Sequence, residues 1–154
     1  MTGTLDDHEM DLLLQKEVVV RVGFNDGERT YVIPICYVYR DGCLYAHSGP
    51  GLKIDALRSG GEPCFQVDHI DDLANWQSVM AWGQYEELAG DDADRAVALL
   101  AERFAPLISE QGGEFPHPWD NHHGTVEHLL HRAGRHGVVF RVKVTHRTGR
   151  YEKR

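Results

Sequence analysis

No apolar run in this chain of 154 residues approaches the ~20 needed to span a bilayer as a helix. Nor does its beginning have the basic-then-apolar plan of a secretory signal. A membrane is therefore an unexpected partner. Basic residues are also short, with 16 Lys plus Arg against 24 Asp plus Glu and a net charge of -8. No basic cluster is dense enough to track a phosphate backbone, which argues against nucleic acid. Cysteine is scarce: Cys36, Cys43 and Cys64 are odd in number and lack CxxC or zinc-type spacing. They read as reduced thiols of a cytoplasmic protein rather than a disulfide framework or a metal site. The length suits one domain spanning residues 1–154, with residues 1–5 too patternless to expect order.

The most informative stretch is 31–53, YVIPICYVYRDGCLYAHSGPGLK. Residues 31–39 are an almost unbroken apolar run of β-branched and aromatic types, closed by the hairpin signal Asp41-Gly42. They predict a strand with Tyr31, Ile33, Ile35, Tyr37 and Tyr39 on one face and Val32, Pro34, Cys36 and Val38 on the other. One face can serve a core, and the other then needs a partner subunit or a flat ligand. Pro34 cannot donate to a ladder, so it belongs at a sheet edge or bulge. The return strand, 43–47, leads through Ser48-Gly49-Pro50-Gly51 into a short helical pattern at 52–59. A helix start offers unpaired N–H groups, and His47, Ser48 and Lys53 add donors beside glycines that permit close approach. Lys53 is the telling residue, because a helix dipole disfavours a cation in the first turn unless an anion is bound there. An ordinary solvated strand-to-helix loop is the competing reading.

Around this segment the chain reads as an acidic-capped helix at 6–16, a strand at 18–24 turned by Asn25-Asp26-Gly27, and a short strand at 64–67. A polar loop over 68–75, a long strand at 78–88 kinked at Gly83, and an amphipathic helix at 91–108 follow. Residues 138–145 close the chain in period-two alternation, with Val138, Phe140, Val142 and Val144 inward. About six strands joined mostly by hairpins, with flanking helices, imply a mainly β antiparallel barrel.

The runs Pro34-x-x-Tyr37, Leu44-Tyr45-x-His47-Ser48 and Gly51-x-Lys53-Ile54 resemble the pyridoxamine 5′-phosphate oxidase-like, FMN-binding split-barrel proteins. Within that superfamily they are most similar to the nitroimidazole-resistance type. Trp76-Gln77-Ser78-Val79 with Gly83 and Glu87 is similar to the family's later central strand, and 141–144 with Thr148-Gly149 to its closing strand. Leu52 departs from the basic or small residue usual there.

The resemblance implies a six-stranded antiparallel split β-barrel, homodimeric, with FMN at the subunit interface. The flavin ring would lie against Ile33, Pro34, Ile35 and Cys36 and against Gln77, Ser78, Val79 and Met80, with the phosphate near His47, Ser48 and Lys53. The implied function is an FMN-dependent reductase or oxidase of a small molecule, of pyridoxamine-phosphate-oxidase-like or nitroreductase-like type. No catalytic residue is assigned, although His47 is the one group in the motif that titrates near neutral pH.

Two other function classes stay open. One is a protein on the same fold that binds a flavin, a deazaflavin or haem without turnover. The other is a metal-binding protein using the histidine-rich segment 117–136, where a helix at 125–132 would set His128 and His131 on one face near His122 or His123. No metal ligand is assigned, because cysteines and carboxylates at matching spacing are missing apart from Glu127.

Overall fold

The computed structural model describes residues 1–110 and 137–154. Its elements are β1 (Thr2–Thr4), α1 (Asp7–Lys16), β2 (Val19–Asn25), β3 (Thr30–Cys36), β4 (Val38–Arg40), β5 (Cys43–Ser48), α2 (Leu52–Arg58), β6 (Cys64–Asp72), β7 (Asn75–Glu87), α3 (Gly90–Glu110) and β8 (Val138–Glu152). The strands form one antiparallel sheet in the order β3-β2-β6-β7-β8-β5-β4, with β1 added to β8. The first and last strands of that order, β3 and β4, are consecutive in the chain and separated by Tyr37 alone. The sheet therefore curls round to meet itself through the backbone, without a ladder between β3 and β5. This is a split barrel.

Several expectations change here. Eight strands form where six were expected. Residues 2–4, expected without order, pair with residues 150–152 of β8. The run 31–39 is two strands, broken at Tyr37, whose N–H leaves the ladder to donate to Val18 O at 3.1 Å. The acidic loop expected from residue 68 is strand as far as Asp72, paired with β7 and turned back when Asp72 accepts from the N–H of Ala74. The histidine-rich segment 117–136 and the loop carrying Trp119 lie outside the described residues.

Strand alternation sends Val20, Val22, Phe24, Ile35, Phe65, Val67, Val79, Phe140 and Val142 into one core, closed by Met10, Leu13 and Leu14 of α1 and Ile54 and Leu57 of α2. Helix α1 begins in a capping box, Asp6 accepting from the Glu9 N–H while the Glu9 carboxylate accepts from the Asp6 N–H, both at 2.8 Å. A second cluster joins Val38, Cys36 and Val18 to Phe104, Leu99, Leu100 and Leu107 of α3. The far face of the 31–39 run is thus covered in part by the chain's own helix, a cover the sequence reading assigned to a partner or ligand. Val32, 67% exposed, stays outside it.

Tyr37 is fully buried and its hydroxyl donates to Leu14 O at 2.6 Å, satisfying one of the carbonyls that the end of α1 leaves open. Tyr37→Phe strands that carbonyl, and we expect a loss of ~1–2 kcal/mol in urea unfolding at unchanged m-value.

Candidate functional site

The register of β4 with β5 sets Val38 opposite Tyr45. Carried two and then four residues further, it would set Cys36 against His47 and Pro34 against Gly49, but the ladder stops at Val38. Pro34 has no N–H to continue it, and β3 instead gives its pairing to β2, where Pro34 faces Arg21. The barrel is split here: β3 and β5 approach each other without pairing, and β5 runs on through residues 49–51 into α2.

The start of α2 is built from small donors. Its N-cap is Gly51 at φ 156°, a conformation that favours glycine, and no side chain caps the first turn. A Cβ placed on Gly49 or Gly51 would meet nothing within 4 Å, so there is room against the backbone. Lys53 is half-buried, and burial pulls its pKa down. Among the described residues no carboxylate pairs with it. A desolvated ammonium beside uncapped N–H groups suits a phosphate, which supplies the missing counter-charge. Ser48 contributes less than its place in the motif promised: it is 9% exposed and its hydroxyl already donates to Gly49 O at 2.9 Å. His47, paired in register with Val139, has its Nε2 buried.

The remaining expected contacts divide by strand alternation. Ile35 and Val79 are buried in the core, which leaves only their backbone for a ligand, and Ile33 packs against the same core. Gln77 lies on that inner face too, opposite His69, though its side chain is exposed. Cys36 turns toward α3, and burial pushes its thiol up to about 11, which keeps it protonated and unreactive. Pro34, Ser78 and Met80 face outward. Pairing places Pro34, Arg21, Gln66, Met80 and Thr148 in one transverse row across β3, β2, β6, β7 and β8. Ser78 lies in the neighbouring row between Asp68 and Arg150. Within one chain the β7 contacts are three strands from Pro34, or ~14 Å at ordinary strand spacing. The two groups of expected ring contacts therefore do not converge in a single copy.

Sequence reasoning missed Arg21, Gln66 and Asp68, which join Ser78 in a hydrogen-bonded patch on the outer face. Polar residues on the outer face of a strand carry no local signal of function, and only the strand order shows that these four meet.

A separate cavity of about 480 Å³ is lined by residues of α1, β4 and β8, among them Asp7, Asp11, Tyr39, His146 and Arg147. None of the expected site residues lines it. Its charges are spent on one another, Arg147 binding Asp11 and Asp7 while Tyr39 donates to Asp11 at 3.0 Å. The Arg147 hydrogen bond holds the Asp11 carboxyl below its ordinary range. A depressed carboxylate pKa adds stability above the unfolded value, near 3.8, and that stability is lost as pH falls through the lower folded value. In acid titrations followed by circular dichroism, Arg147→Ala should remove this part of the pH dependence.

Among the described residues, no three His, Cys, Asp or Glu side chains gather to hold a metal, and no helix is long and apolar enough to cross a membrane.

Comparison with known proteins agrees with this geometry. A family profile described as "Pyridoxamine 5'-phosphate oxidase" matches residues 6–150. An uncharacterised protein of Rhizobium meliloti (strain 1021) is 33% identical over 94 residues, which is 59% of this chain. The aligned region spans 62% of that relative's length. Among solved structures, a FAD-binding protein of Mesorhizobium loti superposes with a TM-score of 0.72 at 27% identity, covering 99% of both chains. A candidate 5-nitroimidazole antibiotic resistance protein of Bacteroides thetaiotaomicron superposes with a TM-score of 0.69 at 20% identity, covering 98% of this chain and 87% of its own. With a profile match over nearly its whole length, this chain belongs to the pyridoxamine 5′-phosphate oxidase family.

Proposed function

We propose that the protein binds FMN as a homodimer and uses it to reduce or oxidise a small molecule. The observation that carries this reading is the donor set where β5 meets α2: uncapped N–H groups, open glycine backbone and a half-buried Lys53 with no carboxylate beside it among the described residues. Such a set suits the phosphate on a flavin's ribityl chain. The FAD-binding Mesorhizobium protein of the same fold supports a flavin. FAD carries a phosphate at the same point of its chain, and titration with each flavin separates them.

The chain's own residues would bind and orient the cofactor. Lys53 and the first turn of α2 would hold the phosphate. Pro34, which leaves the barrel edge unpaired, would let the ring approach β3. When bound, the flavin supplies the redox chemistry. Ser78 and Met80 are too far from Pro34 to close the site within one copy, and a second copy meeting this outer face would bring its own β7 to the ring. Three free thiols are in keeping with the cytoplasm.

The test is direct. Purified protein should be yellow, release FMN on denaturation, and rebind it at one per chain. A colourless protein that takes up neither FMN nor FAD in titration would refute the reading.

A further inference from the structure

The amide of Gln66, on the outer face of β6, has its orientation fixed by its neighbours. Its Oε1 lies 3.3 Å from Arg21 Nη1, a group that can only donate. Its Nε2 donates to Asp68 Oδ2 at 2.9 Å, an oxygen that as carboxylate can only accept. Reversing the amide would set oxygen against carboxylate and N–H against guanidinium. Arg21 also donates to Asp68 Oδ2 at 3.2 Å, which ties the three side chains together. The same Nε2 donates to Ser78 Oγ at 3.0 Å. A serine on a strand surface can ordinarily turn its hydroxyl to give or to accept. Here the oxygen already accepts, so the hydrogen is directed away from Gln66, and among the described residues nothing receives it. Arg150, opposite Ser78 in the β7–β8 ladder, adds positive charge on the same side.

We infer that Gln66 is a positioning residue that makes Ser78 a hydrogen-bond donor to an electron-rich atom of the flavin ring, a carbonyl oxygen or an unprotonated ring nitrogen. The inference rests on the flavin reading above. It adds a polarity to the contact and a cause for that polarity. Asp68 and Arg21 hold the amide, the amide holds the hydroxyl, and the hydroxyl meets the ring. A group that presents its own hydrogen at this point gains less, because it must take the one acceptor position that Gln66 leaves on the oxygen and would leave the hydroxyl hydrogen unused.

Gln66→Glu separates this from a merely structural role. The carboxylate is close to isosteric but has no hydrogen to give, so the Ser78 hydrogen turns inward toward it and the donor is lost. Ser78→Ala loses the donor directly, whereas Ser78→Thr keeps it and suits a strand. In FMN titrations of the full chain above pH 7, Gln66→Glu and Ser78→Ala should each raise Kd roughly fivefold, the worth of one net hydrogen bond. The double variant should be no weaker than either, and Ser78→Thr should bind like the wild type. The carbonyl stretches of bound FMN in the infrared should move alike in both single variants. Wild-type affinity in Ser78→Ala, or loss in Ser78→Thr equal to that in Ser78→Ala, overturns the inference while leaving flavin binding intact. Additive losses in the double variant overturn the role of Gln66. A wild-type protein that binds no flavin overturns both this inference and the reading it rests on. If Gln66→Glu does not fold, Gln66→Leu replaces it: the hydroxyl keeps its hydrogen but loses its fixed direction, so Kd should rise by less than in Ser78→Ala and the carbonyl stretches of bound FMN should broaden, and wild-type affinity with wild-type stretches overturns the role of Gln66.

Discussion

Lys53→Ala should weaken FMN binding by ~1.5–3 kcal/mol, or roughly ten- to a hundredfold in Kd. The size follows from the state of the ammonium before any ligand arrives. Burial already acts against its charge, and among the described residues no carboxylate offsets that cost. A phosphate dianion at the start of α2 would supply the offset and gain a charge-assisted hydrogen bond in return. The alanine variant leaves the uncapped N–H groups of the first turn in place, so binding should be weakened and not abolished. Riboflavin, which lacks the phosphate, provides the control. It should bind the wild type more weakly than FMN and be nearly indifferent to the substitution, because the group that Lys53 serves is missing. Equal FMN affinity in wild type and variant would take Lys53 out of the site. An equal loss for FMN and riboflavin would mean that Lys53 acts through the fold.

Much of this was legible in the sequence because the relevant signals are local. The helix at 6–16 behind its acidic first turn, the hairpin at 25–27, the edge position of Pro34 and the irregularity at Gly83 each depend on a few adjacent residues. At Gly83 the reason is plain in space, since a Cβ there would lie 2.1 Å from Lys143 O. What was not legible depends on a strand's partner. Residues 68–72 look like a loop because Asp68, Asp71 and Asp72 are polar, yet pairing with β7 outweighs their weak strand preference. The last half of β8, 146–152, has the same character and is paired with β7 throughout and with β1 at 150–152. Residues 2–4 become strand because of a partner nearly the whole chain away. The motif residues around the split could be found by their order alone. The side on which each one points, and hence the burial of Ile35 and Val79 against the exposure of Met80, needed the break at Tyr37 and the strand order.

Val32→Asp should turn the protein into a monomer and strip its flavin in the same step. The outer face of β3, β2, β6 and β7 exposes Val32, Val19, Ile70 and Met80 at 67, 41, 64 and 40%. Pairing fixes Val32 in a row with Gly23, Cys64, Trp82 and His146, the last two stacked with ring centroids 5.4 Å apart. Apolar surface spread over four neighbouring strands is what the proposed dimer would cover, and a second copy laid on it would carry its β7 toward the Pro34 edge. In the isolated chain Val32 is mostly in water, so an aspartate there costs little: the variant should keep the wild-type circular dichroism spectrum and unfold cooperatively, its urea midpoint lowered only by the stabilisation that assembly and bound flavin lend the wild type. In a two-fold dimer the same carboxylate is buried twice, at ~2–3 kcal/mol each, which raises the dimer dissociation constant by about three to four orders of magnitude. Light scattering at micromolar concentration reads the assembly, and the FMN retained after gel filtration reads the site. A monomer that keeps FMN with wild-type affinity would show that one chain completes the site, with the ring served by β3 and α2 and without β7. A variant that remains a dimer would move the interface off this face. Joint loss of assembly and flavin, with the fold intact, is the outcome that a site shared between two copies requires, because the β7 contacts three strands from Pro34 can then reach the ring only from the partner.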